Sequence, residues 1–266
     1  MQMALQLEVI TRKPDANPRP TPLLFVHGAW HGAWCWDEFF LPYFAKKGYV
    51  VHALSLRGHG KSLTDKPLRW LRARDYVADV EQIVNSLDKS PVLIGHSMGG
   101  YVTQKYLETH DAPAAVLLAS IPSGGIFPFA VRSAIQHPLA FLKSNVTLSP
   151  YHLIGTVKLS KAAFFSDNMP DEQALKYHAQ LQDESEMMVW ETMLLNLPRP
   201  ARVKTPLLVL GAVNDRVFPP PEVEATARAY GTQARLFPDM AHDMMLEAGW
   251  QSVADCIIEW LETRNL

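Results

Sequence analysis

Short apolar runs that alternate with helical patterns constrain this chain more than any other feature. The clearest are Pro22–Val26 (PLLFV), Tyr49–Leu54 (YVVHAL), Pro91–Ile94 (PVLI), Ala114–Ala119 (AAVLLA) and Pro206–Leu210 (PLLVL). Runs this short and this uniformly apolar read as strands buried on both faces, with the intervening helices covering them. The expected class is α/β, with a mostly parallel sheet. Leu5–Ile10 reads as an initial strand and Ala234–Phe237 as a late one. Trp36–Lys47, Arg74–Leu87, Met98–Thr109, Pro221–Tyr230 and Trp250–Thr263 read as helices, and Pro42 is expected to weaken or bend the first of them. Thr11–Thr21 is polar and Pro-rich and reads as a turn region. Between Ser123 and Asn196 the strand rhythm stops, and Pro128, Pro138, Pro150 and Pro170 punctuate helical stretches. The simplest organisation is one α/β domain, residues 1–122 and 197–266, interrupted by a helical insertion at 123–196.

Composition removes several function classes. The 266 residues are 48% apolar and 20% charged, the profile of a soluble globular chain. A net charge of −2 offers no basic surplus for a phosphate backbone, so no nucleic-acid partner is expected. Cys35 and Cys256 show no metal or disulfide spacing and read as buried reduced thiols. The histidines show no His-Glu-x-x-His pattern, so no metal is expected, nor any organic cofactor. The N-terminal MQMALQLEVITRKPD lacks the form of a signal peptide, and no apolar run is long enough for a bilayer. The expectation is a cytoplasmic protein without a membrane span, a monomer or homodimer.

Gly95-His96-Ser97-Met98-Gly99 fits Gly-x-Ser-x-Gly. It follows PVLI directly and opens a helix, the strand–turn–helix setting that holds a serine hydroxyl above the end of a sheet. Small flanking residues make room for the strained turn. A serine hydroxyl needs a base to act as a nucleophile near neutral pH. His242, in PDMAHDMM after the last strand, is the candidate, because loops after parallel strands gather at one edge of the sheet. His96 should point elsewhere on so sharp a turn, and His178 lies mid-helix in the insertion. The base needs an orienting carboxylate, and Asp215, in the loop after PLLVL, sits where that edge would place it. Asp239 and Asp243 flank His242 too closely for easy orienting geometry. After AAVLLA comes Ser120-Ile121-Pro122, which offers no carboxylate. Two backbone donors should receive the developing oxyanion: the N–H of Met98, just after the serine, and that of Ala29 in the loop His27-Gly28-Ala29-Trp30.

HGAWHGAWCW, RGHGKS, GHSMGG, VNDRVFP and AHDMM, in that order, resemble the motifs of the α/β-hydrolase superfamily, in particular small lidded esterases and lysophospholipase-like serine hydrolases. The resemblance covers nearly the whole chain outside the insertion. It implies an eight-stranded, mostly parallel sheet flanked by helices, a Ser97–Asp215–His242 triad and a lid at the insertion. HGAWHGAW is also similar to plant methylesterases and hydroxynitrile lyases, but Ala29 and Asp243 stand where the lyases typically carry threonine and lysine. Ser55 stands where many relatives carry aspartate, at a position that reads as structural.

The insertion is rich in Phe and Met, which suits an apolar pocket over Ser97. Trp30, Phe127, Phe164, Met188 and Trp190 are the candidate substrate contacts. Arg132, Lys143 and Lys158 read as a solvated face. The expected activity is hydrolysis of a small or medium ester with a hydrophobic acyl or alcohol part through an acyl-enzyme. Lactone or carbon–carbon bond hydrolysis and lyase-like chemistry on the same residues are the alternatives, and a non-catalytic binding protein is the remote one.

Overall fold

The computed structural model describes residues 5–266. Residues 1–4, which belong both to the leader reading and to the expected core, lie outside the described residues. Seven strands form one sheet in the order β1-β3-β2-β4-β5-β6-β7. They are β1 (Val9–Arg12), β2 (Leu23–Val26), β3 (Val51–Leu54), β4 (Val92–His96), β5 (Ala115–Leu118), β6 (Leu207–Ala212) and β7 (Ala234–Phe237). Only β1 runs antiparallel, against β3. The expected eighth strand is missing among the described residues. Pro14, Pro18, Pro20 and Pro22 supply no ladder donors, so the chain crosses from β1 to β2 without forming another strand. The first strand also starts later than Leu5 and takes in Thr11 and Arg12, which pair with His52 and Val51.

The helices are α1 (Trp34–Asp37), α2 (Phe40–Lys46), α3 (Ala73–Ser86), α4 (Met98–Tyr106), α5 (Phe127–Gln136), α6 (Pro138–Thr147), α7 (Val157–Phe164), α8 (Asp171–His178), α9 (Glu186–Trp190), α10 (Pro220–Ala229) and α11 (Trp250–Glu262). The helix expected over Trp36–Lys47 is two, broken at Glu38–Phe39 rather than at Pro42. Pro42 occupies the first turn of α2, where a missing N–H costs no helical bond.

Strands β2, β4, β5 and β6 are buried on both faces, so alternate residues enter different cores. Leu23 and Phe25 join Val51 and Ile94 beneath α2 and α11, with Phe40, Phe44, Val253 and Ile257. Leu24 and Val26 join Leu93 and Leu117 beneath α3, α4 and α10, with Tyr76, Val80, Tyr101 and Val223. Burying one such side chain contributes about 1.5–3 kcal/mol.

Helices α5 to α9 all lie between β5 and β6, and Phe164, Phe165, Met169 and Tyr177 pack into the same core as the first sheet face. A buried ion pair fixes this stretch to the core. Glu184 accepts from His59 Nε2 at 3.0 Å and from the Tyr76 hydroxyl at 2.8 Å. Burial alone would raise the Glu184 carboxyl, but His59 and these hydrogen bonds hold it below its usual value. Burial likewise works against charge on His59, and Glu184 overcomes it and holds His59 above its usual value. Ser55, the departure noted in the sequence, accepts from Ala33 N–H and donates to Glu8, bonding loops together at the strand ends. Both cysteines are buried and unpaired. Among the described residues no helix is long and apolar enough to cross a membrane.

Candidate active site

Register assembles the site. Val26 of β2 pairs with Gly95 of β4, so the loop after β2 lies beside the turn after β4. Ala212 of β6 pairs with Phe237 of β7, which brings the Asp215 loop beside the loop carrying His242. Ser97 sits between β4 and α4 at φ 51°, ψ −116°, a strained conformation for a residue with a side chain. What permits the turn is close packing: a Cβ on Gly99 would run into the carbonyl oxygens of Val26 and His27.

Ser97, His242 and Asp215 are brought together. His242 Nε2 lies 2.9 Å from Ser97 Oγ, and His242 Nδ1 lies 2.8 Å from Asp215 Oδ2. Asp215 Oδ1 accepts from the N–H groups of Val217 and Phe218, which fixes the carboxylate. All three residues are buried. Burial disfavours charge on His242, but the Asp215 carboxylate and its hydrogen bond outweigh it, with Asp243 helping, and hold the ring above its usual value. With Nδ1–H donated to Asp215, Nε2 is free to accept the Ser97 proton.

The candidate donors stand on either side of the serine. Met98 opens α4, so its N–H has no helical acceptor. Ala29 N–H has no backbone acceptor among the described residues. The loop before it touches the turn: a Cβ on Gly28 would lie 2.7 Å from His96 Nδ1 and 2.9 Å from Ser97 Cβ. Ala29, Ser97 and Met98 all line one cavity of about 80 Å³.

Of the candidate substrate contacts, Trp30 and Met188 line that cavity. Phe164 lies behind it, its ring 6.1 Å from His242 and 5.7 Å from Trp30. Phe127 and Trp190 do not line it; they are 50% and 43% exposed. The reason is helical phase. Phe129, Ala130 and Ser133 share the inward face of α5, and Phe127 lies about 200° round the helix from Phe129. Trp190 stands in the same relation to Met188. Phe129, Phe141 and Met193, apolar residues of the insertion outside the five candidate contacts, also form the cavity's walls. The walls are largely apolar, apart from Glu184, Glu186 and a few hydroxyl or amide groups. Arg132 is paired with Glu222, while Lys143 and Lys158 are exposed.

A second set of buried groups went unrecognised in the sequence. Asp243 turns away from the His242 ring and accepts from His31 Nε2 at 3.0 Å. Burial opposes its charge, yet His31, His96 and His242 hold its carboxyl below the usual range. His96 donates from Nε2 to the His242 carbonyl at 3.0 Å, and burial, with His242 beside it, pushes its pKa down to about 3. His96, His242 and Asp243 are near enough in space to suggest a metal site, with ligand atoms within 4.8 Å of one another. However, both His242 nitrogens are engaged by Asp215 and Ser97, so a cation there would have to break one of those bonds.

Residues 23–255 match the profile of the Alpha/beta hydrolase family, and the chain belongs to that family. A non-heme chloroperoxidase of Streptomyces lividans is 37% identical over 113 residues, 41% of this chain and 40% of that protein. Methylesterase 10 of Arabidopsis thaliana is 31% identical over 174 residues, 56% of this chain and 58% of that protein. The chain thus matches only about half the length of these curated relatives. An esterase from Exiguobacterium antarcticum superposes with a TM-score of 0.74, covering 97% of this chain and 96% of that one, and at 16% identity it speaks for the fold alone.

Proposed function

We propose that this chain is a serine carboxylesterase with Ser97 as nucleophile, His242 as base and Asp215 as its orienting acid. The observation that carries the reading is the continuous hydrogen-bonded chain from Ser97 Oγ through His242 to Asp215, at 2.9 and 2.8 Å, with Ser97 opening into a largely apolar cavity. Ser97 Oγ attacks the ester carbonyl as its proton passes to His242 Nε2. The oxyanion is received by the N–H groups of Ala29 and Met98. His242 then gives the proton to the leaving alcohol; a water deprotonated by the same nitrogen attacks the acyl-serine, and the proton passes from His242 to Ser97 Oγ as the acid is released. Asp215 keeps the Nδ1–H tautomer throughout and stabilises the imidazolium.

In this reading residues 123–196 act as a lid on a core of 1–122 and 197–266, and the apolar walls select a small or medium ester with a hydrophobic part. The methylesterase relative agrees with ester hydrolysis. The test has two arms: a panel of p-nitrophenyl esters of increasing chain length, and labelling by a serine-directed fluorophosphonate. The expected result is turnover of short and medium esters and a label that Ser97→Ala abolishes while the fold persists. A folded wild type that neither turns over any ester nor takes the label refutes the proposal.

A further inference from the structure

The turn carrying the Ala29 donor is held by a buried pair with no step in the proposed reaction, and we infer that His31 and Asp243 are positioning residues for that donor. The inference rests on the serine-hydrolase reading above. Residues 28–31 form a reverse turn closed by His31 N–H to the Gly28 carbonyl at 3.4 Å. Its third residue, Trp30, has φ 65°, while Ala29 has no positive φ. That combination is a type II turn, whose third position ordinarily takes glycine. A tryptophan there is under steric strain, and rotating the middle peptide, Ala29–Trp30, toward type I would relieve it; that peptide bears the Ala29 carbonyl and the Trp30 N–H, and its rotation about the Ala29 Cα would drag the adjoining Gly28–Ala29 peptide, whose N–H is the donor.

His31 opposes that rotation. Its Nδ1 donates to the carbonyl of the same peptide, Ala29 O, at 2.7 Å. Its Nε2 donates to Asp243 Oδ2 at 3.0 Å, so both ring nitrogens face acceptors and the imidazole is fixed in orientation. The side chains are 2% and 0% exposed, and Trp34 stacks on the His31 ring at 5.4 Å. No solvent replaces a lost partner there. Asp243 is itself held, since its N–H donates to the Phe164 carbonyl at 2.9 Å and it follows His242 in the chain. One carboxylate therefore joins the loop of the base to the loop of the oxyanion donor, across 212 residues of sequence.

The experiment compares His31→Phe, which keeps a ring but loses the bond to Ala29 O, with Asp243→Leu and the conservative Asp243→Asn. An asparagine amide donates to His31 Nε2 and leaves Nδ1–H on the Ala29 carbonyl. The expected result with a p-nitrophenyl ester is a kcat about 10²-fold lower in His31→Phe and Asp243→Leu, the scale of a displaced catalytic group. KM stays within about threefold, the fluorophosphonate rate falls in parallel, and Asp243→Asn recovers most of kcat. Nitrogen-15 NMR of the wild type gives a readout that needs no variant to fold: His31 carries a hydrogen-bonded proton on Nδ1. The positioning role is overturned if His31→Phe folds and keeps kcat within about threefold of an active wild type, or if Nδ1 bears no proton. A wild type that neither labels nor turns over esters refutes the hydrolase reading instead and takes this role with it, whatever the NMR spectrum shows.

Discussion

Replacing Glu184 by alanine tests how firmly the helical insertion is tied to the sheet. The carboxylate accepts from His59, from the Tyr76 hydroxyl and from Ser185 N–H, and Glu184, His59 and Tyr76 are all buried. Alanine leaves an imidazole N–H and a phenol without acceptors, at about 1–3 kcal/mol each. Breaking a buried ion pair from one side costs about 3–5 kcal/mol, which describes the same loss, so the expected destabilisation is about 4 kcal/mol. At roughly 2–4 °C per kcal/mol for a chain of this size, Tm falls by roughly 8–16 °C. Glutamine keeps the shape. It still accepts from Tyr76 and donates to Nε2 of a neutral His59, whose Nδ1–H remains on the Arg57 carbonyl. Its cost should be about 1 kcal/mol.

Urea unfolding at several pH values, with the m-value checked for constancy, measures both variants. Glu184 is held below its usual value, so its contribution is present above the carboxylate range and is lost as pH falls through the depressed value. His59 is held above its usual value, so its contribution is complete below about pH 6.5 and is lost as pH rises through the raised value. The gap between wild type and Glu184→Ala should therefore be widest between roughly pH 4.5 and 6.5 and narrow on both sides. The reasoning fails if Glu184→Ala lies within about 1 kcal/mol of wild type, or if glutamine is as damaging as alanine.

Asp215→Asn should lower kcat by about 10⁴ while leaving the fold intact, because the amide favours the wrong imidazole tautomer. His242 is held above its usual value and must be neutral to accept a proton, so kcat/KM should rise with pH through a midpoint above about 6.5, and that midpoint should move acidward in Asp215→Asn. Gly99→Ala should yield little folded protein, since its Cβ meets backbone rather than movable side chains, whereas Gly124→Ala, with nothing within 4 Å, should unfold like wild type. Phe129→Ala should raise KM for apolar esters by about tenfold, and Phe127→Ala should leave it unchanged, a contrast that steady-state kinetics resolves.

What the sequence made legible, and what it hid, follows from the range of the interactions. Ser97, Asp215 and His242 each sit in a short motif just after a strand, so the parallel-sheet rule alone sends them to one rim. The apolar runs located β2 to β6 because strands buried on both faces leave an unmistakable local pattern. The facing of Phe127 and Trp190 was not legible. Both sides of α5 and α9 carry apolar residues, so composition does not say which side meets the cavity. Asp243 was set aside as too near His242 to orient it, which holds for that ring. Its actual partner, His31, lies far away in the chain, and no local pattern announces such a pairing.

The division of labour in the molecule has a practical corollary for anyone reshaping it. The groups proposed to react are borne by short connections at the rim of the sheet, whereas most of the cavity wall belongs to a single contiguous stretch of the polypeptide. New selectivity can then be sought by grafting or randomising one uninterrupted gene segment, provided the graft preserves the carboxylate that meets His59 and the main-chain oxygen that meets Asp243.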